Sequence, residues 1–210
     1  MIRGILNLTR KSLPTFSNNA KLNLQHIQEM PEMVLAKMRN SSNNSILYVD
    51  MNHCGAARIK KGGIHTVYTD ALNGCNSIGA SIKLNNGENL FILSHYVPTN
   101  TVGKVKAIEK QLEVYKPYFN SDQAPNLFFN IRGHEPNGKL EAVANPVVDS
   151  VKDLFAKFFV KKPNTFITPY KNQNRPAFFS SANIFQFNPQ NLNELKITNV
   201  GEEVIFVMLG

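Results

Sequence analysis

The chain has 210 residues, of which 42% are hydrophobic and 18% charged, with 11 prolines and 12 glycines spread along it. At about 150 residues per domain, this is one domain over 1–210, large enough to bury a core without metal or disulfide support. The composition excludes collagen, coiled coil and wholesale disorder, and a total of 2 cysteines excludes a disulfide scaffold and a four-cysteine zinc site. The 23 basic and 15 acidic residues give a net charge of +8. That charge admits an acidic protein, nucleic acid or an anionic membrane as partner and selects none of them.

No run approaches the roughly 18 apolar residues of a spanning helix. Residues 1–24 lack the continuous apolar core of a secretory signal, so a soluble chain is expected. Residues 1–20 read as a flexible basic segment, with no acid before Glu29. Such a composition also suits a mitochondrial presequence or the polar leader of an exported bacterial effector.

Residues 22–39 carry a helical pattern in Leu24, Ile27, Met30, Val34, Leu35 and Met38, broken at Pro31. Strands are predicted over 45–50, 64–69, 77–84 and 89–97. Val105, Ile108, Leu112 and Val114-Tyr115 predict an amphipathic helix over 101–118. A strand follows at 127–131. Asn145-Pro146 then offers cap and first-turn chemistry for a helix running through Phe158. The remainder, 165–209, is strand-rich with Pro- and Asn-laden turns. Strands and helices mix without regular alternation, which predicts an α+β fold: mixed β-sheets packed as a sandwich core flanked by helices.

The chemistry-bearing stretch is Thr69-Asp-Ala-Leu-Asn-Gly-Cys75, followed by Leu93-Ser-His95. A cysteine nucleophile needs a base, and the base needs an orienting partner. Asn85-Asn86-Gly87 suits a three-residue hairpin loop with Gly87 in the left-handed position. That loop sets Ser77 opposite His95 and places Cys75 diagonally from it on the same face. Ile78, Ala80, Ile82, Leu90 and Ile92 then share the other face. A two-residue Asn86-Gly87 turn would instead separate Cys75 from His95, unless Gly79 restored the register through a bulge. Gly74 permits a tight turn or a close backbone approach, as a main-chain oxyanion hole requires. The plainer reading makes Asn73-Gly74 a hairpin turn and Cys75 a small buried hydrophobe.

These residues resemble the catalytic pattern of bacterial glutamine deamidases, the cytotoxic necrotizing factor and Burkholderia lethal factor toxins, and more distantly the chemoreceptor glutamine deamidases. The toxin motif Leu-Ser-Gly-Cys corresponds to Leu72-Asn73-Gly74-Cys75 here. The resemblance implies Cys75 as nucleophile, His95 as base and Thr69 as the residue orienting the imidazole. Asn73 departs from the serine of the motif, and the twenty residues from Cys75 to His95 exceed the spacing expected for the family. A single deamidase-like domain of this kind would convert a target glutamine to glutamate through a thioester, without cofactor or metal. By resemblance it would act, as a monomeric secreted or translocated effector in a host cytosol, on a GTPase, a translation-initiation helicase or a chemoreceptor.

Several readings compete. His65 and Thr66 could replace His95 and Thr69. His53-Cys54 are neighbours expected to point to opposite faces. A zinc site of Cys54, Cys75, His53 and His95 lacks ligand spacing. Cys54 and Cys75 could also form a disulfide. A cysteine protease or transglutaminase would use the same cysteine and histidine. A non-enzymatic basic binding protein is the alternative from another class, drawing on Arg58-Ile-Lys60-Lys61, on Lys157, Lys161, Lys162, Lys171 and Arg175, and on Phe178, Phe179, Phe185 and Phe187. Asn, Ser and Gln surround those aromatics, which favours a core or protein interface over nucleic-acid stacking.

Overall fold

A computed structural model describes residues 20–26, 46–70, 72, 74–134, 141–142, 146–170, 182–199 and 202–208. Twelve strands and two helices occur among them: β1 (Ala20–His26), β2 (Ile46–Tyr48), β3 (Cys54–Ile59), β4 (Thr66–Thr69), β5 (Asn76–Lys83), β6 (Asn89–Tyr96), α1 (Thr101–Tyr115), β7 (Asn126–His134), β8 (Glu141–Ala142), α2 (Pro146–Ala156), β9 (Asn164–Tyr170), β10 (Asn183–Phe187), β11 (Glu194–Asn199) and β12 (Glu202–Met208). They build an α+β sandwich of two mixed sheets, with both helices on one outer face.

The first sheet runs β1-β12-β11-β10-β4-β2, and its only parallel pair is β2 with β4. The second runs β3-β6-β5-β7-β8, with β9 added parallel to β7. Between the sheets lie Val67, Phe185, Phe187, Leu195 and Ile197 of one and Ala57, Ile59, Phe91, Leu93, Phe128 and Phe166 of the other. Five of these are phenylalanines. Sheets packed face to face stand about 10 Å apart, a gap that long rings fill well.

The opposite face of the second sheet carries Ile78, Ala80, Ile82, Leu90, Ile92, Leu127 and Phe129, and the helices cover it. Helix α2 contributes Val147, Val148, Val151, Leu154 and Phe155, one stripe at helical spacing. Helix α1 contributes Ile108 and Leu112. It stops at Tyr115 rather than at the expected 118, because Pro117 lacks an N–H to continue it, and Lys116–Tyr118 tightens into a 3-10 turn.

The β5–β6 hairpin has the three-residue loop read from the sequence. Gly87 has φ of 83°, and its N–H donates to the Leu84 carbonyl at 3.0 Å. Ser77 accordingly faces His95, and Lys83 faces Asn89. The pairing is continuous through Gly79, so no bulge is involved. Gly79 serves packing instead: a Cβ there would lie 2.8 Å from Phe185 Cζ and 2.9 Å from Phe91 Cζ.

Two expectations fail. Residues 22–26 were expected in a helix but belong to β1, which pairs along its whole length with β12. The alternation of Leu22 and Leu24 with Lys21, Asn23 and Gln25 satisfies a strand once a partner is present. The rest of that predicted helix, and the basic segment 1–19, fall outside the described residues. Strand β3, Cys-Gly-Ala-Ala-Arg-Ile, was not anticipated, since small residues give little β signal.

Candidate functional site

The layer between the sheets is aromatic for most of its length and polar at one end. Thr69 closes β4 in one sheet, and His95 stands near the end of β6 in the other. Their side chains meet across the gap, with Thr69 Oγ1 2.7 Å from His95 Nδ1. Beside this bridge Ser77 Oγ donates to Asn183 Oδ1 at 3.1 Å. Ser77 faces His95 within one sheet and Asn183 faces Thr69 within the other. Four buried polar side chains thus form a closed quartet with two cross-sheet hydrogen bonds. Leaving such groups unpaired in the interior would cost about 1–3 kcal/mol each, so the pairs hold the sheets in one relative position.

The other ring nitrogen of His95, Nε2, is buried and has no hydrogen-bond partner among the described residues. Burial lowers the imidazole from 6.5 to about 4, with the negative charge of Asp50 opposing the shift and the positive charge of Lys104 reinforcing it. The ring is therefore neutral at pH 7. With its proton on Nδ1, donated to Thr69, Nε2 presents a lone pair to the interior.

Cys75 lies one residue before β5 and is 6% exposed. Leu72, Tyr170 and Val97 pack around it, and burial raises its thiol above the ordinary value. Thiol and imidazole are both neutral at rest, so the pair is not a preformed thiolate–imidazolium. The approach to Cys75 requires glycine, because Gly74 has φ of 90°. The Gly74 N–H, expected as an oxyanion donor, donates instead to Tyr170 Oη at 3.1 Å, and the Tyr170 hydroxyl donates to the Cys75 carbonyl. Gly74 shapes the turn. The Cys75 N–H is the main-chain donor next to the thiol.

A second turn covers the thiol. His53 N–H donates to the Asp50 carbonyl at 3.1 Å, and Met51 N–H to Asp50 Oδ1 at 2.7 Å. That bond, aided by the Tyr48 hydroxyl, holds the Asp50 carboxyl below its usual range. The Lys104 ammonium donates to the Asn52 carbonyl, and His95 N–H to the His53 carbonyl at 3.0 Å. The Cys75 thiol meets the Met51 sulfur at 3.8 Å.

Thr69 and His95 are joined at one end of the sandwich, and Gly74 and Cys75 lie at the start of β5 there, but no hydrogen bond joins Cys75 Sγ to His95 Nε2. The competing residues lie elsewhere. His65 precedes β4 at the end away from Thr69, about 13 Å along the strand, with Nδ1 3.0 Å from Thr66 Oγ1. Cys54 packs on the helix side of the second sheet, and burial pushes its thiol up to about 11. Both cysteines are free thiols, so the disulfide is not formed. His53 is exposed on the turn, and no cluster of three metal-ligating side chains occurs among the described residues. Phe185 and Phe187 are core residues, while Phe178, Phe179, Lys171 and Arg175 lie outside the described residues. Arg58 is paired with Glu88 at 2.6 Å and Lys157 with Glu109 at 3.5 Å. Among the described residues no helix is long and apolar enough to cross a membrane.

Tyr170, Asn183, Asp50 and Met51 were not singled out as site residues by sequence. Their contacts with Thr69, Cys75, His95 and their neighbours depend on sheet stacking, which no local motif encodes. No family model matches the chain, and no curated protein matches it.

Proposed function

We propose that the chain is a cysteine-dependent protein-glutamine deamidase. The observation that carries this reading is the buried Thr69–His95 hydrogen bond at 2.7 Å, which leaves Nε2 of a neutral imidazole unpartnered in the interior. In the proposed reaction Nε2 accepts the Cys75 proton as Sγ attacks the side-chain carboxamide carbon of a glutamine. The Cys75 N–H stabilises the oxyanion. The C–N bond then breaks, ammonia leaves with the proton from His95, and a thioester remains. Water, deprotonated by Nε2, adds to the thioester; the C–S bond breaks, the Cys75 sulfur takes back the proton held on Nε2, and the target keeps a glutamate.

Because both groups rest neutral, the proton transfer accompanies attack rather than preceding it. The likeness to the toxin deamidases adds a target class: a glutamine in a host GTPase or a translation-initiation helicase, reached by an exported effector. Incubation with a panel of such proteins, read by peptide mass spectrometry, tests the proposal. The expected result is amide-to-acid conversion of one glutamine, abolished by Cys75→Ser and lowered about 100-fold by Thr69→Val, which removes the orienting hydroxyl. Conversion that survives Cys75→Ser sinks the reading.

A further inference from the structure

Met51 occupies the corner of a β-turn over Asp50–His53. The next residue, Asn52, has φ of 63°, the left-handed conformation that the third position of such turns accepts from asparagine. The four turn residues are exposed, Met51 to 46%, yet the Met51 sulfur sits against the buried Cys75 thiol. Methionine and glutamine side chains are both unbranched, and the δ sulfur of one stands where the other has its δ carbonyl carbon. The thiol therefore faces the position that a glutamine's electrophilic carbon would take. Reacting atoms poised for attack lie about 3–3.5 Å apart, a few tenths of an ångström closer than the two sulfurs.

We infer that the Asp50–His53 turn is an internal pseudosubstrate: Met51 fills the subsite for the target side chain. The inference rests on the reading of Cys75 as the nucleophile and gives that reading a substrate class. The substrate is a glutamine at the corner of an exposed turn, which displaces the Met51 turn and takes its place. Asparagine is excluded on length, since its carboxamide carbon falls about 1.5 Å short. The turn is well held for this role. Asp50 Oδ1 accepts the Met51 N–H, the Lys104 ammonium fixes the Asn52 carbonyl, and the His53 carbonyl accepts the N–H of His95 itself. These anchors connect the cover to the backbone of the base.

The full-length chain carries its own test, without a known target. In Met51→Gln the turn should deliver a carboxamide to Cys75. Attack forms the S–C bond, ammonia leaves, and water hydrolyses the thioester, so position 51 gains the amide-to-acid mass change. Fragmentation mass spectrometry localises that change and separates it from any at Asn52. The change is expected in Met51→Gln and not in Met51→Asn or in Met51→Gln combined with Cys75→Ala. Met51→Ala should raise the rate of Cys75 alkylation by iodoacetamide about tenfold by uncovering the thiol. An alkylation rate within twofold of the parent overturns the pseudosubstrate and leaves the proposed activity standing. Faster alkylation of Met51→Ala together with an intact Met51→Gln shows the turn to be a cover only and overturns the pseudosubstrate, while the deamidase reading is decided separately by conversion of a target glutamine in the parent against Cys75→Ser.

Discussion

The second sheet buries both of its faces, and the two are filled by different chemistry. Toward the helices, β5 and β6 present Ile78, Ala80, Ile82, Leu90 and Ile92. Toward the other sheet the same strands present Phe91 and Leu93, and then, at one end, Ser77 and His95. Helices can shift along and around their axes until aliphatic side chains interlock. A facing sheet is held by its own ladder, so the gap must be spanned by long rings or by side-chain hydrogen bonds of fixed length. Thr69–His95 and Ser77–Asn183 are the bonds that span it. The two cysteines divide along the same line. Cys54 packs toward the helices, and Cys75 lies at the polar end between the sheets.

The contrast is sharpest at Ser94 and His95, neighbours on β6 whose side chains take opposite faces. In the proposed deamidation His95→Gln should lower conversion about 1000-fold, the scale of a lost general base. Ser94→Ala, on the helix side, should stay within about twofold of the parent. Initial rates on any converted target make the comparison. Equal losses would mean that the two faces share one function and that the polar end is not the site.

Much of this division was legible in the sequence because it is local. Alternation in 77–84 and 89–97 sorts the side chains, and Asn85-Asn86-Gly87 sets the register by turn chemistry, so Ser77 opposite His95 follows from short-range rules. The Thr69–His95 contact joins two sheets. In the sequence it is legible only through the likeness of the motif to a known pattern. Tyr170 and Asn183 left no signal, since each lies about a hundred residues from its partner and looks like any strand-end polar residue. Residues 22–26 misled because one helical period and one strand alternation fit the same few leucines, and the partner that decides between them, β12, stands at the other end of the chain.

Acid separates the two faces by stability. Among the described residues the helix-side core holds no histidine or carboxyl, whereas His95 has a folded-state pKa near 4 against 6.5 for a free imidazole. Above pH 6.5 the ring is neutral in folded and unfolded chains and contributes no pH dependence. Between 6.5 and 4 the unfolded chain binds a proton that the folded chain refuses, so stability falls as pH falls. The loss approaches about 2–3 kcal/mol near pH 4 and levels off below it. Guanidinium unfolding at pH 7.5 and 4.5 should show this loss in the parent, beyond a smaller drop in His95→Gln that the carboxylates supply. Parallel losses in both proteins would show that the ring is more hydrated than its burial implies.

The smallest expected effect falls on one residue of β5. Gly79 points between the sheets, where an added Cβ would press on the Phe185 and Phe91 rings at 2.8 and 2.9 Å, whereas Ala80 next to it faces the helices. Gly79→Ala should cost about 1–2 kcal/mol through displaced rings, although alanine is the better strand former on backbone grounds. The rings cannot recede without parting the sheets, and Ser77 lies two residues away on the same face. The strain should therefore reach the quartet and move the ring nitrogen resonances of His95 in an NMR spectrum. A substitution of similar cost on the helix side, Ile82→Val at about 1 kcal/mol, should leave those resonances in place because the helices absorb the change. If Gly79→Ala is destabilising and yet silent at His95, the aromatic layer and the polar end are independent. The spacing of the sheets at the site would then be fixed by the quartet's own hydrogen bonds and not by the rings.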